Sequence, residues 1–385
     1  MSDDPKALLQ RYQPKEVKVL KTDRQMAILR FSPCGNFLAA GGCDATVRRW
    51  DVSNAEMAEL PPLTGHGGWV QALAFSPPPL TLLPQAGERG GSSSPSPPEG
   101  ERGRGEGRLF TADSWGRLTC WPYAEKEAQP LWSVEQAHDG WVRGLAVSPD
   151  GKLLATCGMD QKVRLWSADD GAKKQELTGH NEDVYAVAFH PDGKSLVSGD
   201  LKGVIQVWDL ESGKVVRRFD AKQLYLLSRL QDVGGVRCLA FDAKGETLAA
   251  AGTKPKVGAN VQGVPTILFF DWSSGQVKHT LSIGNDGDGY IFDLHLHPAG
   301  FVMAVTSGNP GVGKLFFQRP ADPQPFFLYT KMANCHSLAV HPNGQRLAVS
   351  ATNANSNGNG RQIGKGTEYP GNYSPIHVFD LPTAG

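Results

Sequence analysis

The chain has 385 residues and carries 39 basic side chains against 39 acidic ones, so its formal net charge is zero. This balance gives no bulk electrostatic attraction to nucleic acid or to an anionic membrane, and no run approaches the ~18 apolar residues of a membrane-spanning helix. The first residues include two acids and lack a long apolar core, which is not typical of a secretory signal. We therefore expect a cytoplasmic protein with neither nucleic acid nor membrane as a partner.

A unit of three strands and two turns recurs seven times along the chain. Each copy has an apolar strand, a turn of the Pro-Asp-Gly type, a second strand, a Gly- or Asp-containing turn and a third strand that ends in an aromatic residue. These aromatic residues are Trp50, Trp121, Trp166, Trp208, Phe270, Phe317 and Phe379. Their spacings of 71, 45, 42, 62, 47 and 62 residues indicate a period of about 40 to 45 residues with insertions, which is typical of a β-propeller.

The predicted blades begin after an N-terminal arm of residues 1–14 and a strand at 15–22. They cover residues 23–64, 65–137, 138–178, 179–219, 232–283, 287–330 and 331–385, with a disordered insertion rich in Pro, Gly, Ser, Arg and Glu at 77–107 in blade two. Blade seven lacks an outer strand in the sequence. We expect the strand at 15–22 to dock on it and close the ring, because a propeller leaves no exposed edge between its first and last blades.

Two dipeptide motifs recur at corresponding places in these repeats. They are the pairs Gly65-His66, Ala137-His138 and Gly179-His180, and the pairs Trp50-Asp51 and Trp208-Asp209. In these residues the chain resembles the WD-repeat family of β-propellers. The resemblance extends over nearly the whole chain and implies an all-β fold of seven four-stranded antiparallel blades. It implies little about activity, because one fold hosts many functions.

The resemblance also implies a buried hydrogen-bonded network of His, Ser or Thr, Asp and Trp in a standard blade. Blade three carries this network as His138, Thr156, Asp160 and Trp166. A His beside an Asp and a hydroxyl also has the composition of a catalytic triad, but such a set more often satisfies buried polar groups. Blade four carries His180, Ser198 and Trp208. Because Lys202 stands where the Asp is expected, we predict an incomplete network there.

Three long departures from the repeat fall on the face of the propeller that carries the Gly-His loops, called here the Gly-His face. They are Ala221–Gln231, predicted as a packed loop or short helical turn, Thr253–Pro265 in blade five and Asn353–Ser374 in blade seven. Long loops on one sector of one face are where such folds often bind ligands. Drift in surface loops is the alternative explanation.

The innermost strand of blade six contains the run Asp293-Leu-His295-Leu-His297. Period two places its polar side chains on one side of the strand, and a His pair with a carboxylate can bind zinc or iron. His190 and His341 occupy the position of His297 in sister blades, so the repeat explains that residue. The repeat does not explain Asp293 and His295. Two interpretations of them stay open, a buried ion pair near the channel and a pair of metal ligands.

The start of each innermost strand is the place where WD-repeat proteins commonly bind partners. Alignment of the blades puts Gln25, Trp69, Trp141, Asp183, Gly235, Tyr290 and Asn334 at one position, and Ala27, Gln71, Arg143, Tyr185, Arg237, Phe292 and His336 two residues later. Trp, Tyr and Arg dominate the energetics of protein interfaces. The candidate partner-binding residues are therefore Trp69, Gln71, Trp141, Arg143, Tyr185, Arg237, Tyr290, Phe292 and His336. Alternatively, Trp69 and Trp141 only plug the mouth of the channel.

The sequence thus predicts a non-catalytic scaffold that binds a protein or peptide through the Gly-His face. It predicts no cofactor, and a monomeric propeller within a larger complex. The alternative hypothesis is a metal-dependent hydrolase or lyase that uses the central channel around Asp293 and His295.

Overall fold

The computed structural model describes residues 4–77, 107–228, 230–256, 262–309, 311–353 and 372–382. Seven four-stranded antiparallel sheets form the blades of a propeller. The innermost strands of successive blades contact one another around a closed circuit, from blade one to blade seven and back to blade one. The fold class predicted from the repeat is confirmed.

In blades one to six the strands run from the centre outwards in chain order. Blade one contains β2 Met26–Phe31, β3 Phe37–Gly42, β4 Val47–Asp51 and β5 Ala58–Leu63, and blade two contains β6 Val70–Phe75, β7 Arg108–Asp113, β8 Leu118–Pro122 and β9 Trp132–Val134. Blade three contains β10 Val142–Val147, β11 Leu153–Gly158, β12 Val163–Ser167 and β13 Lys173–Leu177, and blade four contains β14 Val184–Phe189, β15 Ser195–Asp200, β16 Val204–Asp209 and β17 Val215–Asp220.

Blades five and six follow the same order. A hairpin of β18 Tyr225–Ser228 and β19 Gln231–Gly234 precedes blade five, which contains β20 Cys238–Phe241, β21 Thr247–Lys256, β22 Gln262–Asp271 and β23 Val277–Ser282. Blade six contains β24 Tyr290–His297, β25 Phe301–Ser307, β26 Gly313–Gln318 and β27 Phe327–Met332. Blade seven contains β28 Cys335–Val340, β29 Arg346–Ala351, β30 Ile376–Asp380 and, as its outer strand, β1 Lys15–Leu20.

Hydrophobic clusters lie between neighbouring blades and hold the ring together. In the cluster between blades three and four, for example, Trp208 packs with Val163 and Leu177. Burial of one such large side chain contributes about 1.5–3 kcal/mol to the free energy of unfolding. The packing therefore leaves the ends of the strands, and not their bodies, free for binding.

The strand β1 closes the ring as the sequence predicts. It pairs antiparallel with β30 from Lys15 opposite Asp380 to Leu20 opposite Ile376. The carboxylate of Glu16 on β1 lies 3.0 Å from His377 Nδ1 on β30. The first and last segments of the described chain thus belong to one blade.

The N-terminal arm contains a helix that the sequence pattern does not predict. This helix, α1 Pro5–Tyr12, begins at an N-cap Asp4 whose side chain accepts a hydrogen bond from the backbone N–H of Lys6 at 3.2 Å. Leu8 is buried in the cluster between blades six and seven. A helix of 8 residues is marginal alone, so its packing on the propeller stabilises it.

Blade five extends further towards the Gly-His face than the repeat predicts. The first part of the predicted loop Thr253–Pro265 continues the ladder of β21 and β22 as far as Lys256 opposite Gln262. The segment Ala221–Gln231 contains a 3-10 turn at Lys222–Leu224, as expected, and then the first strand of the hairpin β18–β19. Residues 257–261, residues 354–371 of the predicted blade-seven loop and residues 78–106 of the predicted insertion lie outside the described residues.

The prediction that Phe317 is the third-strand aromatic residue of blade six is wrong by one position. The ladder pairs Val302 with Gln318, whereas the corresponding pair in blade four is Leu196 with Trp208. Gln318 therefore occupies the Trp position, and Phe317 packs instead in the cluster with blade seven. The sequence did not reveal this shift because consecutive aromatic residues at 316 and 317 fit either register.

Candidate functional site

A β-bulge recurs near the start of the innermost strand. In six blades the register between the first two strands shifts at one residue, and these residues are Ala27, Gln71, Arg143, Tyr185, Phe292 and His336. In blade five the corresponding Arg237 precedes β20. A bulge re-aims the side chain of its extra residue, so the bulge directs this position away from the packed blade surfaces.

The side chains at these positions converge on one cavity of about 340 Å³ at the channel mouth on the Gly-His face. All seven of them line it, namely Ala27, Gln71, Arg143, Tyr185, Arg237, Phe292 and His336. Trp69 lines it too, whereas Trp141 and Tyr290 lie behind the lining residues and contact them. The structure therefore brings the predicted partner-binding residues together.

Two tryptophans and an arginine form the part of this ring that blades two and three contribute. The rings of Trp69 and Trp141 meet edge to face with centroids 5.7 Å apart, and Trp69 is 48% exposed. The guanidinium of Arg143 lies 4.2 Å above the Trp141 ring and donates a hydrogen bond of 3.1 Å to Gln71. Trp69 is thus open to solvent, and Trp141 is half-buried beneath Arg143.

Tyr185 continues the ring between two cations. Its ring centroid lies 5.5 Å from the guanidinium of Arg143 and 3.9 Å from that of Arg237. Arg237 also lies 5.4 Å from the ring of Tyr290, so aromatic and cationic groups alternate along this side. Each cation–π contact at a partly exposed site contributes about 0.5–1 kcal/mol. These contacts hold the guanidiniums in place at the mouth of the cavity.

Blades six and seven complete the ring with aromatic side chains. Phe292 contacts Tyr290 and His336, with ring centroids 6.2 and 5.8 Å away. The Nε2 atom of His336 is buried and has no hydrogen-bond partner within the described residues. Burial lowers the pKa of His336 to about 4, so its imidazole is neutral at pH 7.

Trp115 belongs to the same face, and the sequence reasoning missed it. It is 72% exposed, and its ring covers Gly67 and Gly68 of the loop that precedes Trp69. It follows Thr111 by four residues, the spacing at which Asp160 follows Thr156 in blade three. A Trp at the position where the repeat usually has Asp could have identified this residue from the sequence.

Asp293 does not form the ion pair with His295 that the sequence left open. Its Oδ2 atom instead lies 2.7 Å from Arg30 Nη1 and accepts hydrogen bonds from Ser337 Oγ at 2.7 Å and from the Leu338 backbone at 3.1 Å. The charge of this carboxylate is therefore already compensated. Within the described residues no group of three or more His, Cys, Asp or Glu side chains is placed to hold a metal ion.

The polar network of blade three forms as predicted. His138 lies 2.8 Å from Asp160 through Nδ1 and 2.7 Å from Thr156 through Nε2, while Trp166 Nε1 donates to Thr156 at 2.8 Å. A single neutral imidazole satisfies the whole chain when Nδ1 donates to the carboxylate and Nε2 accepts from the hydroxyl. Thr156 is fully buried, so this set satisfies polar groups in the core and offers no exposed nucleophile.

The prediction of an incomplete network in blade four is wrong. His180 Nδ1 lies 2.8 Å from Asp200, its Nε2 lies 2.7 Å from Ser198, and Trp208 donates to Ser198 at 2.7 Å. Asp200 follows the hydroxyl by two residues, whereas Lys202 stands at the expected spacing of four. The turn lets a carboxylate at either spacing reach the imidazole.

Blade two has the same shortened arrangement. His66 lies 3.0 Å from Asp113 and 2.7 Å from Thr111, and Trp121 donates to Thr111 at 2.8 Å. Burial acts to raise the pKa of Asp113, but the hydrogen bonds from His66 and from backbone N–H groups outweigh it and lower the pKa to about 2. Because Asp113 supplies the carboxylate, the residue four after Thr111 is free to be the exposed Trp115.

Comparison with known proteins agrees with this geometry. The family model described as WD domain, G-beta repeat, matches residues 17–51, 129–167 and 171–209. The chain is a β-propeller that contains WD repeats. The helices of the described part include none long and apolar enough to cross a membrane.

Several relatives match part of this WD-repeat protein. The nuclear distribution protein nudF of Emericella nidulans is 27% identical over 174 residues, which is 43% of this chain and 35% of the relative. The protein of the same name in Aspergillus terreus is 31% identical over 149 residues, 38% of this chain and 30% of the relative. The WD repeat domain-containing protein 83 of Danio rerio is 35% identical over 63 residues, 16% of this chain and 20% of the relative.

The matches cover only part of each relative. The matched part of the chain spans 35% and 30% of the length of the two nudF relatives. The names of these relatives refer to nuclear distribution or to the repeat itself.

Proposed function

We propose that this WD-repeat protein is a non-catalytic scaffold that binds a protein or peptide partner through the Gly-His face of the propeller. The observation that carries the proposal is the convergence of the seven bulge positions on one cavity. The blades are built on the same pattern, yet these positions hold Arg, Tyr, Phe and His residues that interblade packing does not require. Such residues supply most of the binding energy at protein interfaces.

The hairpin β18–β19, which precedes blade five, also supports the Gly-His face as the binding surface. The hairpin β18–β19 contacts β21, and its Leu227 and Leu230 are 57% and 96% exposed. This hairpin connects the outer strand of blade four to the inner strand of blade five, so it lies on the Gly-His face. A partner that extends over this face beyond the cavity would reach this exposed apolar segment.

The test is capture of a partner from the native host by the wild-type protein and by the double variant Trp69→Ala/Trp141→Ala. We expect the variant to lose a partner that mass spectrometry identifies with the wild type, while its thermal unfolding remains cooperative. The matched control is Val216→Ala/Leu328→Ala, which removes exposed apolar side chains from outer strands. Equal loss in the control, or full retention in the tryptophan variant, would contradict the proposal.

A further inference from the structure

Two guanidiniums at the cavity lack an anionic partner. Among the described residues, no carboxylate forms an ion pair with Arg143 or Arg237, and the Nε atoms of both are buried without a hydrogen-bond acceptor. Among the residues that the structure describes, Arg143 donates only to Gln71 Oε1 and to Met159 Sδ, and Arg237 donates no side-chain hydrogen bond. Buried donors of this kind are nearly always paired in native proteins, so the site has unused capacity to bind an acceptor.

The remaining charges of the cavity do not supply that acceptor. Arg30 and Asp293 neutralise each other at 2.7 Å. Asp183 is a half-buried carboxylate that interacts electrostatically with both arginines. Its burial raises its pKa, while the charges of Arg143 and Arg237 act to lower it. Two cations and one nearby carboxylate leave a net charge of one positive unit at the mouth of the cavity.

The two cations also repel each other. Both guanidiniums lie against the ring of Tyr185, within 5.5 and 3.9 Å of its centroid. Burial lowers the pKa of Arg143, and the charge of Arg237 acts in the same direction. An anion placed between them would relieve this repulsion and accept charge-assisted hydrogen bonds from both.

We propose that the cavity receives the carboxylate of an Asp or Glu side chain from the partner, held between Arg143 and Arg237. The proposal rests on the function proposed above and defines the chemistry of its partner as an acidic peptide segment. A single carboxylate neutralises the net charge of the site, whereas a phosphate dianion would leave one uncompensated negative charge there.

The aromatic side chains beside the cations define the neighbours of that carboxylate. On the blade-two side of Arg143, Trp69 and Trp115 are exposed, and the ring of Trp69 packs edge to face on the half-buried Trp141. A side chain adjacent to the acidic residue would pack there. The occupant is therefore an acidic segment that also carries an apolar or aromatic residue.

The test uses capped peptides and follows the indole N–H resonances of the tryptophans by NMR. An acetylated, amidated hexaglutamate peptide is titrated into the wild-type protein, with hexaglutamine and a phosphoserine-containing peptide as comparisons. We expect saturable shifts of the Trp69 and Trp141 resonances with hexaglutamate and none with hexaglutamine. Affinity should fall at least about 10-fold in Arg143→Met and in Arg237→Gln, because each loses a hydrogen bond to a charged group.

The control variant is Arg218→Met, which removes an exposed arginine from an outer strand. Three results would overturn the proposal: no shift with hexaglutamate, equal loss in Arg218→Met, or binding of the phosphoserine peptide where hexaglutamate does not bind. Partner capture separates the two proposals. If Trp69→Ala/Trp141→Ala loses the partner but Arg237→Gln retains it, the scaffold function stands and the carboxylate recognition is wrong.

Discussion

Arg30 of blade one and Asp293 of blade six form an ion pair of 2.7 Å that reaches across the inner edge of blade seven. Ser337 and the backbone of Leu338 in blade seven donate to the same carboxylate oxygen. Three blades therefore meet at one side chain, in the sector where β1 closes the ring. The position that the sequence offered as a candidate metal ligand has a structural explanation.

Replacement of Asp293 tests this explanation. Asp293→Ala should lower the free energy of unfolding by about 2–4 kcal/mol, because it leaves Arg30 unpaired and two donors of blade seven without their acceptor. Urea denaturation measures the change. The double variant Arg30→Met/Asp293→Leu should recover part of the loss. An Asp293→Ala protein as stable as the wild type would contradict the structural role.

The network of blade four gives a prediction that separates two neighbouring residues. Asp200→Ala should cost about 1–3 kcal/mol, since the buried His180 loses its acceptor, whereas Lys202→Ala should change the stability by less than about 0.5 kcal/mol. The two variants are compared by thermal and urea unfolding. A larger loss of stability in Lys202→Ala than in Asp200→Ala would show that residue 202, and not Asp200, occupies the network position.

The closing strand gives a prediction in two steps. Deletion of residues 1–13 removes α1 and should lower the melting temperature moderately, because Leu8 leaves the cluster between blades six and seven. Deletion of residues 1–22 also exposes the edge of β30 and should destabilise the whole propeller, with aggregation as a second readout. A 1–22 deletion that melts like the parent would show that β1 does not close the ring.

The sequence predicts the blades and the candidate ring because both depend on short-range patterns. Strand periodicity and turn residues locate the innermost strands, and alignment on them finds Arg143, Tyr185 and Arg237 at one position. The pairing of Arg30 with Asp293 is not visible in this way, because 263 residues separate them and only the closed ring brings them together. Contacts of this kind depend on tertiary structure and leave no local signal.

Other features were hidden by weak local signals. The helix α1 is stabilised by packing of Leu8 and Tyr12 on the propeller. From sequence alone, such a short amphipathic segment cannot be distinguished from an unstructured polar arm, because the segment is too short to be helical without that packing. The role of Asp200 in blade four is not visible at the fixed repeat spacing, because its carboxylate follows Ser198 by two residues and not by four. The long ladder of blade five was assigned to a loop because Pro255 and Gly263 are typical of turns.

The pH dependence of stability follows from two histidines near the channel. Burial lowers the pKa of His336 to about 4. The pKa of His295 also falls to about 4, first through burial and then through the charge of His297, with Arg30 acting in the same direction and Asp293 against it. Both imidazoles are therefore neutral in the folded protein at a pH where the unfolded chain, with a pKa of about 6.5, already binds protons.

The free energy of unfolding should consequently fall as the pH decreases from about 6.5 to about 4, by on the order of 3 kcal/mol for each histidine. Above about pH 6.5 both states are neutral and the contribution is constant. His336→Phe should flatten this part of the profile, since Nε2 has no partner to lose, and the exposed His279→Ala should leave it unchanged. Urea denaturation at each pH measures the slopes. If the unfolding free energy of His336→Phe depends on pH as strongly as that of the wild type, the pKa of His336 is not lowered in the folded protein. Water would then reach the imidazole through the cavity, in contrast to the buried Nε2 of the structure.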